Sequence, residues 1–299
     1  MRMVIRVSAT ALAAAAVVST SVLVAQQPAG KVWTQEELFR RNVGSPQDQD
    51  TQFPPHKIIG NIYYVGTNSL ASFLVTTPQG HILINTSYER TVPIIKASVE
   101  KLGFKFSDIK IILGSHAHGD HMEGDAAAKE LTGAQVMAMA EDVPALERMR
   151  PGGKAHPIDR ILHDRDDVQL GGTTLRAYLT PGHTRGCTTW TMNVQEGGKN
   201  LLVVIIGSLG VNPGFVLVDN KDTPGIVDEF ERAYTVMRSL PADVPLGSHG
   251  AMYSVAEKFA KIGKGPNPFI DPAGYKAELD TVEGVFRTAL AEQRKAAAK

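Results

Sequence analysis

The chain has 299 residues, 43% of them hydrophobic and 21% charged, with 31 basic side chains against 31 acidic ones. That balance, with no long run of like charge, gives no electrostatic footprint for nucleic acid or an anionic membrane surface. The length suits one α/β domain with a single sizeable core, and Cys187, the one cysteine, excludes an intramolecular disulfide.

Met1 to Arg6 is basic, Ala9 to Ala25 is rich in Ala, Val and Leu with Ser and Thr interspersed, and Gln26-Gln27-Pro28 follows. This order reads as a secretory signal peptide over residues 1–25. Ala, Ser and Thr dominate where an uncleaved anchor would favour Leu and Ile, and no cysteine adjoins the cut to carry a lipid. The expected product is a soluble, monomeric protein of the periplasm or the medium, with no membrane association after cleavage.

Residues 26–56, rich in Pro, Gln and Asp, predict an irregular lead-in with one short helix at residues 35–41. A single domain over 57–299 follows. Apolar, β-branched runs predict strands at 57–65, 72–77 and 81–85, the last two joined by a Pro78-Gln79-Gly80 turn. Val92, Ile95, Val99 and Leu102 recur at helical spacing, and Gly103 closes that segment. A strand at 109–113 comes next. Further strands are predicted at 135–139, 168–170, 173–179, 188–194 and 201–206, and helices at 141–149, 224–239, 255–262 and 272–293. Strand hairpins alternating with helices at both ends of the chain suggest two mixed sheets packed face to face with helices outside. No Pro/Gly/Ser linker separates the halves.

Directly after the 109–113 strand, residues 114–125 read G-S-H-A-H-G-D-H-M-E-G-D. His116 and His118 are two apart, so extended backbone points both the same way, toward one ion. Asp120 and His121 follow Gly119, where the chain can turn toward a helix starting near Met122 and face a second ion. A catalytic zinc takes three protein ligands and keeps one position open for water. This segment supplies two for each of two sites. His183 in T-P-G-H-T-R-G and His249 in L-G-S-H-G, each in a glycine-flanked loop after an apolar run, are the candidates for the missing pair. His56, His81, His156 and His163 lack such neighbourhoods and read as structural or exposed, although His56 could approach from the lead-in. Glu123 reads as a partner of a ligand or a cap for the helix start, Arg185 as an exposed charge, and Cys187 as a small residue packed behind its loop.

The H-x-H-x-D-H run resembles the signature of the metallo-β-lactamase superfamily. Over nearly the whole mature sequence the chain looks like the third subclass of class B β-lactamases: N-I-Y-Y-V-G at 61–66, F-L-V-T-T-P-Q-G-H-I-L-I-N-T at 73–86, L-T-P-G-H-T-R-G-C-T-T-W at 179–190, V-N-P-G-F at 211–215, L-G-S-H-G at 246–250 and N-P-F-I-D at 267–271. The resemblance implies an α/β fold of the αββα sandwich type, with His116, His118 and His183 holding one zinc ion and Asp120, His121 and His249 the other. It implies zinc-dependent hydrolysis of a β-lactam amide by metal-activated water, with Ser208 hydrogen-bonding the substrate carboxylate. Ser208 stands where many thioesterases and lactonases of this fold place a bridging Asp, and where another subclass of class B places a Cys.

Two positions depart from the family pattern. Gly210 stands where a second carboxylate-binding serine is often found, and Asn85 where much of the superfamily has Asp. Another dizinc hydrolase of the same fold, acting on a lactone, thioester or phosphoester, is the alternative among enzymes. A non-catalytic zinc module is the alternative outside them, opposed by a ligand set that leaves water positions open where structural sites close theirs with cysteine. Substrate preference is expected to depend on loops such as 149–164.

Overall fold

The computed structural model describes residues 31–299, so the expected signal peptide lies outside the described residues. The lead-in is more ordered than its composition predicts. Helix α1 (Gln35–Val43) starts at Thr34, whose hydroxyl accepts from Glu37 N–H while the Glu37 side chain returns to the Thr34 backbone. Helix α2 (Pro46–Asp50) repeats that reciprocal cap with Ser45 and Asp48. Each cap satisfies amide groups that the first helical turn leaves open.

The run at 57–65 is not one strand but two: β1 (His56–Ile59) and β2 (Ile62–Tyr64) pair antiparallel. Gly60, at φ +53°, makes the turn. Strands β3 (Phe73–Thr77) and β4 (Gly80–Ile84) form the expected hairpin, and helix α3 (Val92–Lys101) crosses over to β5 (Ile109–Leu113). After β5 come the short α4 (Gly119–Met122), α5 (Asp125–Thr132), β6 (Gln135–Met139) and α6 (Val143–Leu146). The last is shorter than the predicted 141–149 helix, because residues 140–142 wind as a 3-10 turn.

Strand β7 (Arg160–Leu162) was not predicted; three residues at a sheet edge leave no periodicity to read. Strands β1 to β7 lie in chain order in one seven-stranded sheet, antiparallel through β4 and parallel from β4 to β7.

The second sheet has five strands in the order β12-β11-β10-β9-β8: β8 (Asp167–Leu170), β9 (Thr173–Leu179), β10 (Thr188–Glu196), β11 (Lys199–Ile206) and β12 (Val244–Gly247). Strand β12 was also unforeseen. It is short and contains Pro245, which an edge strand tolerates because one side of its backbone need not donate. Helices α7 (Ile226–Ser239), α8 (Val255–Phe259) and α9 (Pro272–Ala297) complete the chain. Val32–Lys299 form one compact unit, and none of the described helices is long and apolar enough to cross a membrane.

Alternation along the strands divides the core. Phe73, Val75, Ile82 and Ile84 join Trp190, Met192 and Val203 of the second sheet in one cluster, to which α7 and α9 add Phe230, Met237 and Phe286. Leu74 and Leu83 point the other way, into a second cluster with Val92, Ile95 and Val99 of α3. The result is the αββα sandwich, two mixed sheets face to face with helices outside. The strands leading to the glycine-rich loops run the same way within each sheet. In the first, β4 and β5 are parallel. In the second, β11 and β12 are parallel, and β9 shares their direction because both β9 and β11 oppose β10. Their C-terminal ends therefore open on one rim of the sandwich.

Candidate metal centre

Four strand ends feed this rim. The segment after β5 carries His116, His118, Asp120 and His121; the loop after β9 carries His183; the ends of β11 and β12 lead to Ser208 and His249. Asp120 and His121 lie within α4 itself, one turn earlier than the helix start predicted near Met122. His249 is fastened across the sandwich: it bridges Leu70, Gly250 N–H donates to the Ser69 carbonyl at 3.0 Å, and Ala71 N–H donates to the Ser248 carbonyl at 3.0 Å.

All six expected side chains converge. One ligand nitrogen from each of His116, His118 and His183 lies within 4.8 Å of the other two, and so do ligand atoms of His116, Asp120 and His121. The tight second grouping thus contains His116 where His249 was expected, but His249 Nε2 lies 3.6 Å from the Asp120 carboxylate and its ring is 4.8 Å from that of His121. His121 Nε2 is 3.2 Å from the same carboxylate.

Burial pushes His116 well below the ordinary histidine range, and the neighbouring imidazoles push it further. His118 is lowered too, chiefly by burial. Burial takes His183 and His249 down to about 3, with His118 adding to the first shift and His121 to the second. Asp120 is held far below the usual carboxylate range because the surrounding histidines outweigh its burial. His116, His118, His183 and His249 are thereby held toward the neutral form, in which an imidazole can coordinate a cation.

Whether these residues suit a metal is tested by their unused atoms. His116 Nε2, His249 Nδ1 and both ring nitrogens of His121 are buried without a hydrogen-bond partner. Such groups are costly unless another ligand satisfies them; a metal ion can take one lone pair per ring, and so would answer one nitrogen of His121 and not both. His183 donates from Nδ1 to the Gly210 carbonyl at 2.7 Å, which fixes its tautomer and leaves Nε2 for coordination. The donor set fits a metal.

The family model of the metallo-beta-lactamase superfamily matches residues 66–244, more than half the chain. The chain belongs to the metallo-beta-lactamase superfamily. Among solved structures it is similar to the native FEZ-1 metallo-beta-lactamase from Legionella gormanii, at 47% identity and a TM-score of 0.79, over 82% of this chain and 98% of that one. It is similar also to BJP-1, a subclass B3 metallo-beta-lactamase of Bradyrhizobium japonicum, at 37% identity and a TM-score of 0.77, over 84% and 98%. A curated relative, the hydroxyacylglutathione hydrolase of Rhodopseudomonas palustris, is 30% identical over 112 residues, which cover 38% of this chain and 39% of that enzyme. The chain thus spans well under half the length of that curated relative.

Within this metallo-beta-lactamase fold the His-rich metal-binding site forms the floor of a cavity of about 330 Å³. Ser208 lines it, as do Tyr88, Gly210, Val211 and Asn212. Helix α1 lines it as well, through Leu38, Phe39, Asn42 and Val43. Sequence reading missed this wall and looked to the 149–164 loop, which contributes no lining residue. The Thr34/Glu37 capping box ahead of Leu38 was the available signal that α1 is a real element. Gln35 ties α1 to two other lining residues, its amide donating to the carbonyls of Val211 at 3.4 Å and Asn212 at 3.2 Å.

The other candidates resolve simply. His56 packs among Phe53, Tyr64, Phe259 and Phe269 and does not approach the metal-binding cluster. His81 packs on Phe104, and His163 is exposed. His156, read as structural or exposed, is structural: it is buried against Asp125 at 3.1 Å. Glu123 accepts from Glu89 N–H at 3.4 Å. Arg185 is largely exposed and pairs with Glu229 at 3.6 Å. The Cys187 thiol donates to the Ser208 carbonyl at 3.2 Å, and burial pushes its pKa far up, away from a nucleophilic role. Asn85 is fully buried at φ +62°, a conformation Asn tolerates. Its side-chain oxygen accepts from Ser115 N–H at 2.9 Å and its amide donates to the Ala71 carbonyl at 3.3 Å, so it steadies the residue before His116 without adding charge.

Proposed function

We propose that the protein is a zinc-dependent β-lactamase whose site holds two ions, one on His116, His118 and His183 and one on Asp120, His121 and His249. The observation that carries the metal part is the meeting of six side chains from three strand ends, with buried ring nitrogens that no protein group satisfies. The 47% identity to FEZ-1 across nearly the whole of that enzyme supports a β-lactam as the substrate.

Bound zinc supplies Lewis-acid polarisation of a carbonyl and brings the pKa of water to about 7. The protein's own contribution is to hold His116, His118, His183 and His249 toward the neutral form, to keep Asp120 ionised as a hydrogen-bond acceptor for water, and to shape the cavity above them. The six ligands carry one formal negative charge, on Asp120, so a site with two divalent cations stays positive and draws an anionic substrate. Ser208 stands on the cavity wall, where its hydroxyl can donate to a carboxylate. Leu38, Phe39, Val43 and Val211 offer apolar surface to the rest of the molecule.

The curated relatives favour a second reading, hydrolysis of a glutathione thioester. Against it, Ser208 supplies no acid at the end of β11. Steady-state hydrolysis of a chromogenic cephalosporin and of a hydroxyacylglutathione thioester, each with and without chelator, separates the two. The proposal expects metal-dependent turnover of the cephalosporin. Thioester turnover with an intact cephalosporin transfers the protein to the second reading, and activity that survives full metal removal refutes both.

A further inference from the structure

Asp142 ends the 3-10 turn before α6 and is buried, at 3% exposure. Its carboxylate accepts three hydrogen bonds. One comes from Ala117 N–H at 2.8 Å, one from the Thr184 hydroxyl at 2.9 Å, both to Oδ2, and one from Gly186 N–H to Oδ1 at 2.8 Å. Ala117 stands between His116 and His118, while Thr184 and Gly186 follow His183. The two segments come from different sheets, the first leaving β5 and the second joining β9 to β10. One carboxylate therefore fastens together the two stretches of backbone that carry the three-histidine set.

The approach is close enough to dictate a neighbour. A Cβ at Gly186 would lie 2.6 Å from Asp142 Cβ and Cγ and 2.5 Å from its backbone nitrogen, so only glycine admits the carboxylate here. Burial raises the acid's pKa, and the three donors oppose that rise. A buried carboxylate kept with three donors is a costly device for mere packing, which an apolar side chain would serve. The direct backbone link between these segments, Thr188 N–H to the Ser115 carbonyl at 2.7 Å, lies outside the span from His116 to His183 that Asp142 bridges.

We propose that Asp142 is a positioning residue that fixes the separation of His116 and His118 from His183, and thereby sets the affinity of the three-histidine site for its metal. The proposal rests on the reading of those histidines as ligands. Groups that orient metal ligands typically change affinity by 10–100-fold when lost. Asp142→Asn keeps the shape but turns an amide N–H₂ toward one of the three donors. Thr184→Val removes one hydrogen bond and leaves the carboxylate in place.

The test is titration of cobalt(II) into the metal-free full protein, followed by its visible absorption, with His183→Ala marking which equivalent belongs to the three-histidine site. The expected result for Asp142→Asn is an affinity at least about tenfold weaker at that site, with an altered absorption band. Thr184→Val should shift the same quantities the same way by less. An Asp142→Asn protein that melts lower yet binds cobalt with unchanged affinity and spectrum overturns the proposal. Should that variant not fold, unchanged binding by Thr184→Val overturns it instead. A wild-type spectrum indifferent to His183→Ala sinks the ligand reading itself, a result distinct from the other two.

Discussion

His183 donates from Nδ1 to the Gly210 carbonyl, and on the proposed assignment its Nε2 is a metal ligand, so its loss would remove a ligand and an anchor together. His183→Ala is expected to retain about one zinc equivalent fewer, read by elemental analysis. Losing metal assistance worth several kcal/mol should cut cephalosporin turnover on the order of a hundredfold or more, at about 1.36 kcal/mol per tenfold. At Gly210 the molecule has room to spare: a Cβ there would meet only Leu38, at 4.0 Å. Gly210→Ser should therefore change stability by less than about 0.5 kcal/mol, and its added hydroxyl on the cavity wall should lower KM for an anionic β-lactam with little change in kcat. At Asn85 the reverse holds. Asn85→Asp replaces the donor facing the Ala71 carbonyl with an oxygen in a fully buried place. It should cost about 1–3 kcal/mol in urea unfolding.

Helix α1 is held to the body of the fold by Arg41, whose guanidinium makes a two-pronged contact with Glu278 of α9, one prong at 2.9 Å. The pair keeps 19% and 7% exposure. Glu278→Gln leaves Arg41 without its counter-charge, and about 2–3 kcal/mol of stability should go, somewhat below the loss for a fully buried pair because Arg41 keeps solvent. Since α1 is also the cavity wall, KM should rise more than kcat falls. A second clamp joins the 151–159 segment to the start of α5, where Asp125 accepts from Thr86 at 2.6 Å and faces His156. Burial works against a charged His156, but the hydrogen bond and charge of Asp125, with backbone contacts at Met122 and Pro157, outweigh it and raise the pKa. A raised histidine pKa stabilises the fold fully below the unfolded value near 6.5, and that increment disappears as pH climbs through the folded value. The stability gap between wild type and His156→Gln should therefore be wider at pH 6 than at pH 9 in urea titrations.

At the scale of the molecule, three strand ends from two sheets supply the proposed ligands, which links metal and fold thermodynamically. Zinc at a hundred times its dissociation constant contributes about 2.7 kcal/mol. Chelation should lower Tm by roughly 5–10 °C for a domain of this size, as calorimetry would show. Much of this architecture was legible beforehand. The alternating apolar runs of β3 to β6 and β9 to β11 announced themselves, and four metal-competent side chains within six residues after β5 announced the metal centre. His183 and His249 could be picked out because each stood in a glycine-flanked loop after an apolar run. What stayed hidden depended on closure in three dimensions. Nothing in residues 35–43 says which cavity their face will line, Pro245 disguised β12, and Asp142 gains its meaning only from donors 25 and 44 residues away in the chain.

The Gln35 amide, which joins α1 to the Val211 and Asn212 carbonyls, has a practical corollary. Trimming the polypeptide past Gln35, by protease or by cloning, would spare all six proposed metal ligands yet unlatch one side of the cleft. Such a shortened enzyme would still score as fully zinc-loaded while handling its substrates poorly, so an assay of metal content alone would pass a damaged preparation as sound.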